Sequence, residues 1–425
     1  MKLESSSTEL ALPPELRLEI DRIGEADVVV GIPSYNNART IGHVVRAVQA
    51  GLAKYFPRLK AVLVNSDGGS TDGTTGVVHG TVIDDFRSIM VFHDANPLSK
   101  IAALYSGIPG KGSAFRAVFE IASALGAKAC AVVDSDLRSI TPEWMELLLK
   151  PVLNDGFDYV SPLYHRHKYD GTITNNIVYP ITRALYGKQI RQPIGGDFGF
   201  SGELSRFYLT KDVWESDVAR FGIDIWMTTT ALANQFKVCQ AFLGAKIHDA
   251  KDPGTDLSDM LAQVLSATFD LMEEYSSVWQ GVTGSERVPT FGFNYAVGLE
   301  PVPVDVRRMV ERFRLGVREL SDIWKLFLPL KILGFLEEAA MLPERELRFP
   351  DPLWAEIIFG FATASHRRLL HKEHLLKSIT PLYIGRVASF ILDNTESDGV
   401  EVEGKIESLC MSFEDRKHFL LENWE

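Results

Sequence analysis

Cysteine is scarce in this chain. Its three copies, Cys130, Cys239 and Cys410, are odd in number and far apart. They build neither a disulfide framework nor a zinc-binding spacing, and such usage fits a reducing compartment. Long apolar runs are missing too. No uninterrupted stretch approaches the roughly 18 residues of a membrane-span candidate. The nearest, residues 323–342, is interrupted by Lys325, Lys331, Glu337 and Glu338 and reads as an amphipathic helix. Positive charge is in deficit: the net charge is −12, which argues against nucleic acid or an anionic membrane as the main partner. Residues 1–14 are Ser/Glu-rich and lack the basic-then-apolar pattern of a signal peptide. Together these absences lead us to expect a soluble, cytoplasmic protein with no membrane span.

What is present fits a globular protein. Hydrophobic residues make up 46% and charged residues 24%, ordinary values for a chain that buries a core. A length of 425 residues predicts two or three structural units. We expect an N-terminal extension over 1–24, an α/β domain over 25–255 and a helical C-terminal region over 256–425. In the middle unit, short apolar runs at 27–33, 61–64, 89–93, 129–133 and 159–163 read as strands. Helical spacing falls between them at 38–52, 74–86 and 113–125. Such alternation predicts a mostly parallel sheet with helices on both faces. Beyond it, 257–274, 304–333, 352–377 and 381–393 carry apolar residues at helical spacing, and the Gly/Pro-rich stretch 284–303 reads as a connection. The C-terminal helices offer a surface for a homodimer, though nothing in their pattern demands one.

The most telling local pattern is Val132-Val133-Asp134-Ser135-Asp136, an apolar run ending in two carboxylates one residue apart. Ligands of open α/β sheets bind in the crevice at the strands' carboxyl ends. Two hard oxygen donors there suit Mg²⁺ or Mn²⁺. A solvated strand exit looks the same when isolated, so the neighbouring motifs matter. The first strand exits through Pro33-Ser34-Tyr35-Asn36-Asn37 and the second through Asp67-Gly68-Gly69-Ser70-Thr71-Asp72-Gly73-Thr74. Neither is a Gly-x-Gly-x-x-Gly dinucleotide fingerprint. Gly110-Lys111-Gly112 lacks phosphate-loop spacing, but a lysine between glycines at a helix start can meet a phosphate with its ammonium and backbone N–H groups. Gln192-Pro193-Ile194-Gly195-Gly196-Asp197 permits close backbone approach to a ligand. Gly222-Ile223-Asp224 sets one acid among apolar residues, a setting that tends to be buried and paired. His248, after a strand-like run, can complete a mixed N/O metal set with Asp134 and Asp136.

In this order the motifs resemble the retaining GT-A fold glycosyltransferases, in particular mannosylglycerate synthase and glucosyl-3-phosphoglycerate synthase, over roughly residues 25–275. The resemblance implies a Rossmann-like nucleotide-diphospho-sugar transferase domain. It also implies transfer of a hexose from UDP-glucose or GDP-mannose to a small anionic acceptor such as D-glycerate or 3-phosphoglycerate. Pro33, Tyr35, Asn37 and Asp67 would hold the nucleoside, and Lys111 the diphosphate. Asp136 and His248 would bind the metal, with Asp134 and Ser135 beside the ribose or a metal-bound water. Gly195, Gly196 and Asp197 would contact the sugar, and Asp224 would orient the reacting groups. Asn37 stands where these relatives often carry Glu. In a retaining transfer the acceptor hydroxyl enters on the face the diphosphate leaves, and a phosphate oxygen can take its proton, so Asp224 reads as a positioner.

For the acceptor, His165, Arg166, His167, Lys168, Arg183, Lys188 and Arg191 gather cations into one stretch of an acidic chain. They could hold a small anion or form a solvated basic face. Arg166 and Thr174 are the candidate contacts. Three alternatives stand beside this reading. One is an inverting GT-A transferase acting on a lipid phosphate or polysaccharide, which the first motifs fit equally. The others are a sugar-nucleotide-binding protein without activity and a nucleotidyltransferase. The last normally shows a basic Gly-rich loop after the first strand, and this chain does not.

Overall fold

The computed structural model describes residues 14–81, 99–104, 110–248, 257–295 and 297–424. Among the described residues ten strands are formed: β1 (Val28–Ser34), β2 (Ala61–Asp67), β3 (Ser99–Leu104), β4 (Ala129–Val132), β5 (Tyr159–His165), β6 (Lys188–Gln189), β7 (Phe198–Ser201), β8 (Val238–Ala245), β9 (Glu286–Arg287) and β10 (Thr290–Phe291). Eight of them build one sheet in the order β10-β8-β5-β7-β4-β1-β2-β3, and β6 pairs with β9 apart from it. The expected α/β class is therefore realised. Every pairing in the large sheet is parallel except those of β7, which runs antiparallel between β4 and β5.

The parallel arrangement explains the unbroken apolar reading of β1, which is buried along its whole length because helices cover both faces. Val28, Val30 and Ile32 point into one core with the helices Ile41–Tyr55 and Glu143–Asp155. Val29 points to the opposite core, where the helix Lys111–Ala124 packs. That helix comes so close that a Cβ on Gly31 would lie 2.5 Å from Val118. The second core is continuous with the C-terminal helices, since Trp324, Trp354 and Leu382 belong to the same buried cluster as Val29 and Phe115. At about 1.5–3 kcal/mol for each large apolar side chain buried, packing alone ties these helices to the sheet.

Several expectations need correcting. The helix expected over 304–333 is two, Val306–Trp324 and Leu330–Met341, because Pro329 cannot donate a helical hydrogen bond and restricts the residue before it. The amphipathic helix expected over 323–342 is divided at the same place. The stretch 352–377 likewise breaks after His366, where Arg368 takes a left-handed conformation. The segment long and apolar enough to cross a membrane is Lys372–Asp393 instead, and 78% of its apolar window is buried inside the protein. β3 and β7 were not expected. β7 is only four residues with a glycine inside, and that glycine is required: a Cβ on Gly199 would meet the Leu148 carbonyl oxygen at 2.0 Å. The strand expected at 89–93 and the end of the helix expected over 74–86 lie outside the described residues.

Candidate active site

Because β1, β2 and β4 are parallel neighbours, the loops after them leave the sheet on one edge. They are stitched together there. The Asn36 N–H donates to Ser70 Oγ (2.8 Å), Thr71 N–H to Asn36 Oδ1 (2.9 Å), and Asn37 N–H to Thr74 Oγ1 (2.8 Å). Ser135 Oγ donates to Asn37 Oδ1 (2.8 Å), joining the third loop to the first. Asp67 is the hub of its own turn: its carboxylate accepts from Ser34 Oγ, Ser70 Oγ and the N–H groups of Gly69 and Ser70, all within 3.0 Å. Its oxygens therefore shape the shelf. Pro33 is buried within β1, whereas Tyr35 stands out from the shelf with 62% of its surface exposed. Of the expected nucleoside contacts, Tyr35 is the side chain open to a flat ligand.

Beside the shelf lies a buried charge cluster. Lys111 starts its helix with Gly112 pressed onto the 218–220 backbone, where a Cβ would strike the Val218 carbonyl at 1.8 Å. Its Nζ meets Asp134 Oδ1 at 2.8 Å and Asp224 Oδ1 at 3.2 Å. The other oxygen of Asp134 is taken by Lys246 Nζ at 2.7 Å. Lys246 also reaches Asp197 Oδ2 (2.8 Å) and the Gly195 carbonyl (2.7 Å), and Asp197 accepts from Tyr164 OH and, through Oδ1, from the Asp134 N–H (2.8 Å). Lys246 is the member that reasoning from sequence missed. It stands two residues before His248 just past β8, so the period of two along an extended chain gives both the same facing. Gly196 completes the cradle: at φ +87° its missing Cβ leaves room for Asp134 Oδ2, which would otherwise lie 2.2 Å away.

These contacts pull the ionisations apart. Burial opposes charge on Lys111 and Lys246, but the facing carboxylates outweigh it and both pKa values rise. Burial likewise opposes charge on Asp134, yet the two ammonium groups hold its pKa well below the usual carboxylate value. Asp136 and Asp224 go the other way. Burial raises Asp136, the Asp134 charge raises it further, and Lys246, His248 and Lys111 offset only part. Burial raises Asp224 despite Lys111.

Asp136 makes no hydrogen bond or ion pair among the described residues, although it is half-buried and feels the charge of His248. Among those residues no cluster of three or more His, Cys, Asp or Glu side chains has metal-binding geometry. Two protein ligands are nonetheless a workable set for Mg²⁺, which takes one or two carboxylates and fills its shell with waters and substrate phosphates. Asp136 supplies one such carboxylate and His248 an imidazole nearby, whereas both oxygens of Asp134 are engaged by lysines. His248 Nε2 also lies 3.6 Å from Asp170 Oδ2, which in turn receives Arg166 Nη1 at 3.3 Å. Asp170 is a second member the sequence reading missed.

The basic stretch is largely neutralised. Arg183 pairs with Glu407 and Glu414, Lys188 with Glu286, and Arg191 with Glu403. Lys168 donates to the carbonyls of Asn394, Thr395 and Ser397. It is thus no solvated basic face. Between the stretch and the helix Gly399–Asp415 lies a cavity of about 250 Å³ bordered by Arg166 and Asn175; Thr174 is buried in a π-helical turn beside it. A smaller cavity of about 40 Å³ borders Asp170, Lys246 and His248, and His167 and Leu299 line both.

No family model matches the sequence, and no curated protein does. Solved structures do show a distant likeness. Glucosyl-3-phosphoglycerate synthase from Mycobacterium tuberculosis, in complex with Mg²⁺ and UDP, is 19% identical with a TM-score of 0.44, over 60% of this chain and 83% of that one. The same enzyme in complex with Mn²⁺, UDP-glucose and phosphoglyceric acid is 18% identical with a TM-score of 0.43, over 61% and 83%. A mycobacterial protein is 20% identical with a TM-score of 0.42, over 61% and 78%. At this distance the likeness assigns no chemistry.

Proposed function

We propose that the chain is a metal-assisted, retaining GT-A type glycosyltransferase that moves a hexose from UDP-glucose or GDP-mannose to a small anionic acceptor of the glycerate or 3-phosphoglycerate kind. The observation that carries this reading is Asp136: an uncompensated carboxylate at the carboxyl edge of a parallel sheet, beside Asp134 locked between two lysines. Such a site calls for a cation, and a metal–diphosphate supplies one. Asp136 and His248 would hold the ion, which contributes Lewis-acid stabilisation of the charge that develops on a departing diphosphate.

The remaining steps belong to the chain's own residues. Lys111 donates to Asp134 and Asp224 and has a third N–H for a phosphate oxygen. Gly195 and Gly196 pack against Pro162 and Asp134 and so hold Asp134 in place beside the sugar. Asp224, buried and paired with Lys111, orients the sugar. A retaining course agrees with the pairing pattern, since Asp134, Asp170, Asp197 and Asp224 are each ion-paired. None of these four is left as an open base and Asp136 is assigned to the metal, which leaves a phosphate oxygen to take the acceptor's proton.

The test is to incubate the full chain with Mn²⁺ or Mg²⁺, a panel of UDP- and GDP-hexoses, and glycerate or phosphoglycerate. Nucleoside diphosphate release that needs both metal and acceptor, with the anomeric configuration kept in the product's proton NMR couplings, is expected. No release with any pair sinks the proposal. An inverted product transfers the chain to the inverting alternative.

A further inference from the structure

The larger cavity is shaped for more than a three-carbon anion. Its volume of about 250 Å³ exceeds the roughly 150 Å³ of an engineered cavity that takes a six-membered ring, room enough for a hexose ring. It neighbours the smaller cavity at Lys246 and His248, and His167 and Leu299 line both, so an occupant lies next to the edge of the charge cluster.

The wall chemistry narrows the class of occupant. A second phosphate calls for an uncompensated guanidinium fork. Here Arg166 is matched by Asp170 at 3.3 Å, and Arg191 by Glu403 through two contacts of 2.9 and 2.8 Å. Burial and the neighbouring Lys168 also hold the His167 pKa below its ordinary value. What the wall does offer is a mixed polar set, the amide residues Asn175 and Gln192, each of a type that both donates and accepts, beside cations already matched by carboxylates. A hydroxyl both donates and accepts, so adjacent hydroxyls on a ring answer such a set where an anion answers only its donors. Val402 and Ile406 add an apolar side for the ring's C–H face.

We propose that this cleft is an acceptor subsite for a hexose-sized, hydroxyl-rich group, so that the acceptor is a sugar acid or glycoside larger than glycerate. The proposal rests on the glycosyltransferase reading above and names the substrate class of that site.

The test uses the full chain with Mn²⁺ and whichever nucleotide sugar it binds, and compares D-glycerate with gluconate, methyl α-glucoside and a glucoside of glycerate. At least one sugar-bearing acceptor should show a KM about tenfold below that of glycerate, the worth of one good hydrogen bond to a charged group. Glu403→Ala, which removes the carboxylate that matches Arg191, and Val402→Phe, which narrows the cleft, should each erase that advantage while the donor KM stays put. Glu403 is exposed enough to replace safely, so that variant keeps the test open if Val402→Phe does not fold. Equal KM values for glycerate and every sugar-bearing acceptor, or variants that leave the advantage intact, overturn the subsite while the transferase reading stands. Absence of donor binding overturns the transferase reading, and this proposal with it.

Discussion

Two charged clusters flank the cleft, and they are balanced in opposite ways. At the end of β4, Asp134, Asp136, Asp197 and Asp224 outnumber Lys111 and Lys246, and Asp136 is left without a partner among the described residues. Along the basic stretch, Arg183, Lys188 and Arg191 each meet a carboxylate carried by a later part of the chain. Cations that look abundant in sequence are thus spent on fastening the C-terminal helices. The acids that look ordinary concentrate into a surplus where a divalent ion can enter. Function follows the uncompensated charge. Paired charge, even when dense, mostly holds parts together.

The comparison breaks first at Asp136. Asp136→Asn should lower metal-dependent kcat/KM by about a thousandfold, the several kcal/mol that a Lewis acid contributes. It should also remove the metal dependence of donor binding in calorimetric titrations. Undiminished metal-dependent affinity in this variant refutes the surplus-charge reading. Next in size is Lys246→Met, which strands Asp134 and Asp197 without a shared ammonium. Breaking a buried pair from one side costs about 3–5 kcal/mol, so urea unfolding should show a loss of that order. A loss below about 1 kcal/mol would mean that Lys246 is no more than a surface-type partner.

Much of this was legible beforehand, and the reason lies in period and position. The apolar run into Asp134 and the glycines around Lys111 are local signals, and they landed at a strand end and a helix start as expected; of the strand–helix rhythm, β1, β2, β4 and β5 stand where expected, while β3 and β7 were not foreseen. Lys246 and Asp170 were not legible, because their meaning depends on partners 112 and 78 residues away: Asp134 for the first, His248 for the second. The pairing of the basic stretch was hidden for the same reason, since its partners Glu403, Glu407 and Glu414 come more than 200 residues later in the chain. Long-range pairing leaves no periodic trace. Asp67 shows the converse: a residue that looked free to bind a nucleoside is consumed by its own turn, through contacts only two and three residues away and one across to Ser34.

The cradle around Asp134 gives a finer test. Gly196→Ala adds a methyl at a positive φ, costing roughly 1–2 kcal/mol in backbone strain, and pushes on Asp134 Oδ2. Donor affinity should fall about tenfold while the protein remains folded by circular dichroism; unchanged donor affinity would detach Gly196 from the donor site. The pH dependence sharpens the same contrast. A raised carboxyl such as Asp136 binds its proton more tightly in the folded state. Its contribution is fully present below the ordinary value of 3.8 and is lost as pH rises through the folded pKa. Metal-free Asp136→Asn should therefore be more stable than the parent at neutral pH, and Mn²⁺ should reverse that order. For Asp134, held low, the sign is opposite: its contribution is present above 3.8 and disappears only under strong acid.

The smallest expected effect lies in the other cluster. Arg191 keeps 13% of its side chain exposed, but Glu403 keeps 60%, so water and salt screen the pair from one side. Pairs with an exposed partner contribute about 0–1 kcal/mol, and Glu403→Gln retains an oxygen that can still accept from the guanidinium. Unfolding free energy should therefore change by less than about 1 kcal/mol, and raising the ionic strength should shrink the difference further. Side by side with Lys246→Met in the same denaturant series, this variant measures how far the two clusters differ. Equal losses from the two substitutions would mean that the basic stretch is as deeply committed to the fold as the charge cluster. The distinction between surplus and spent charge would then have no energetic basis.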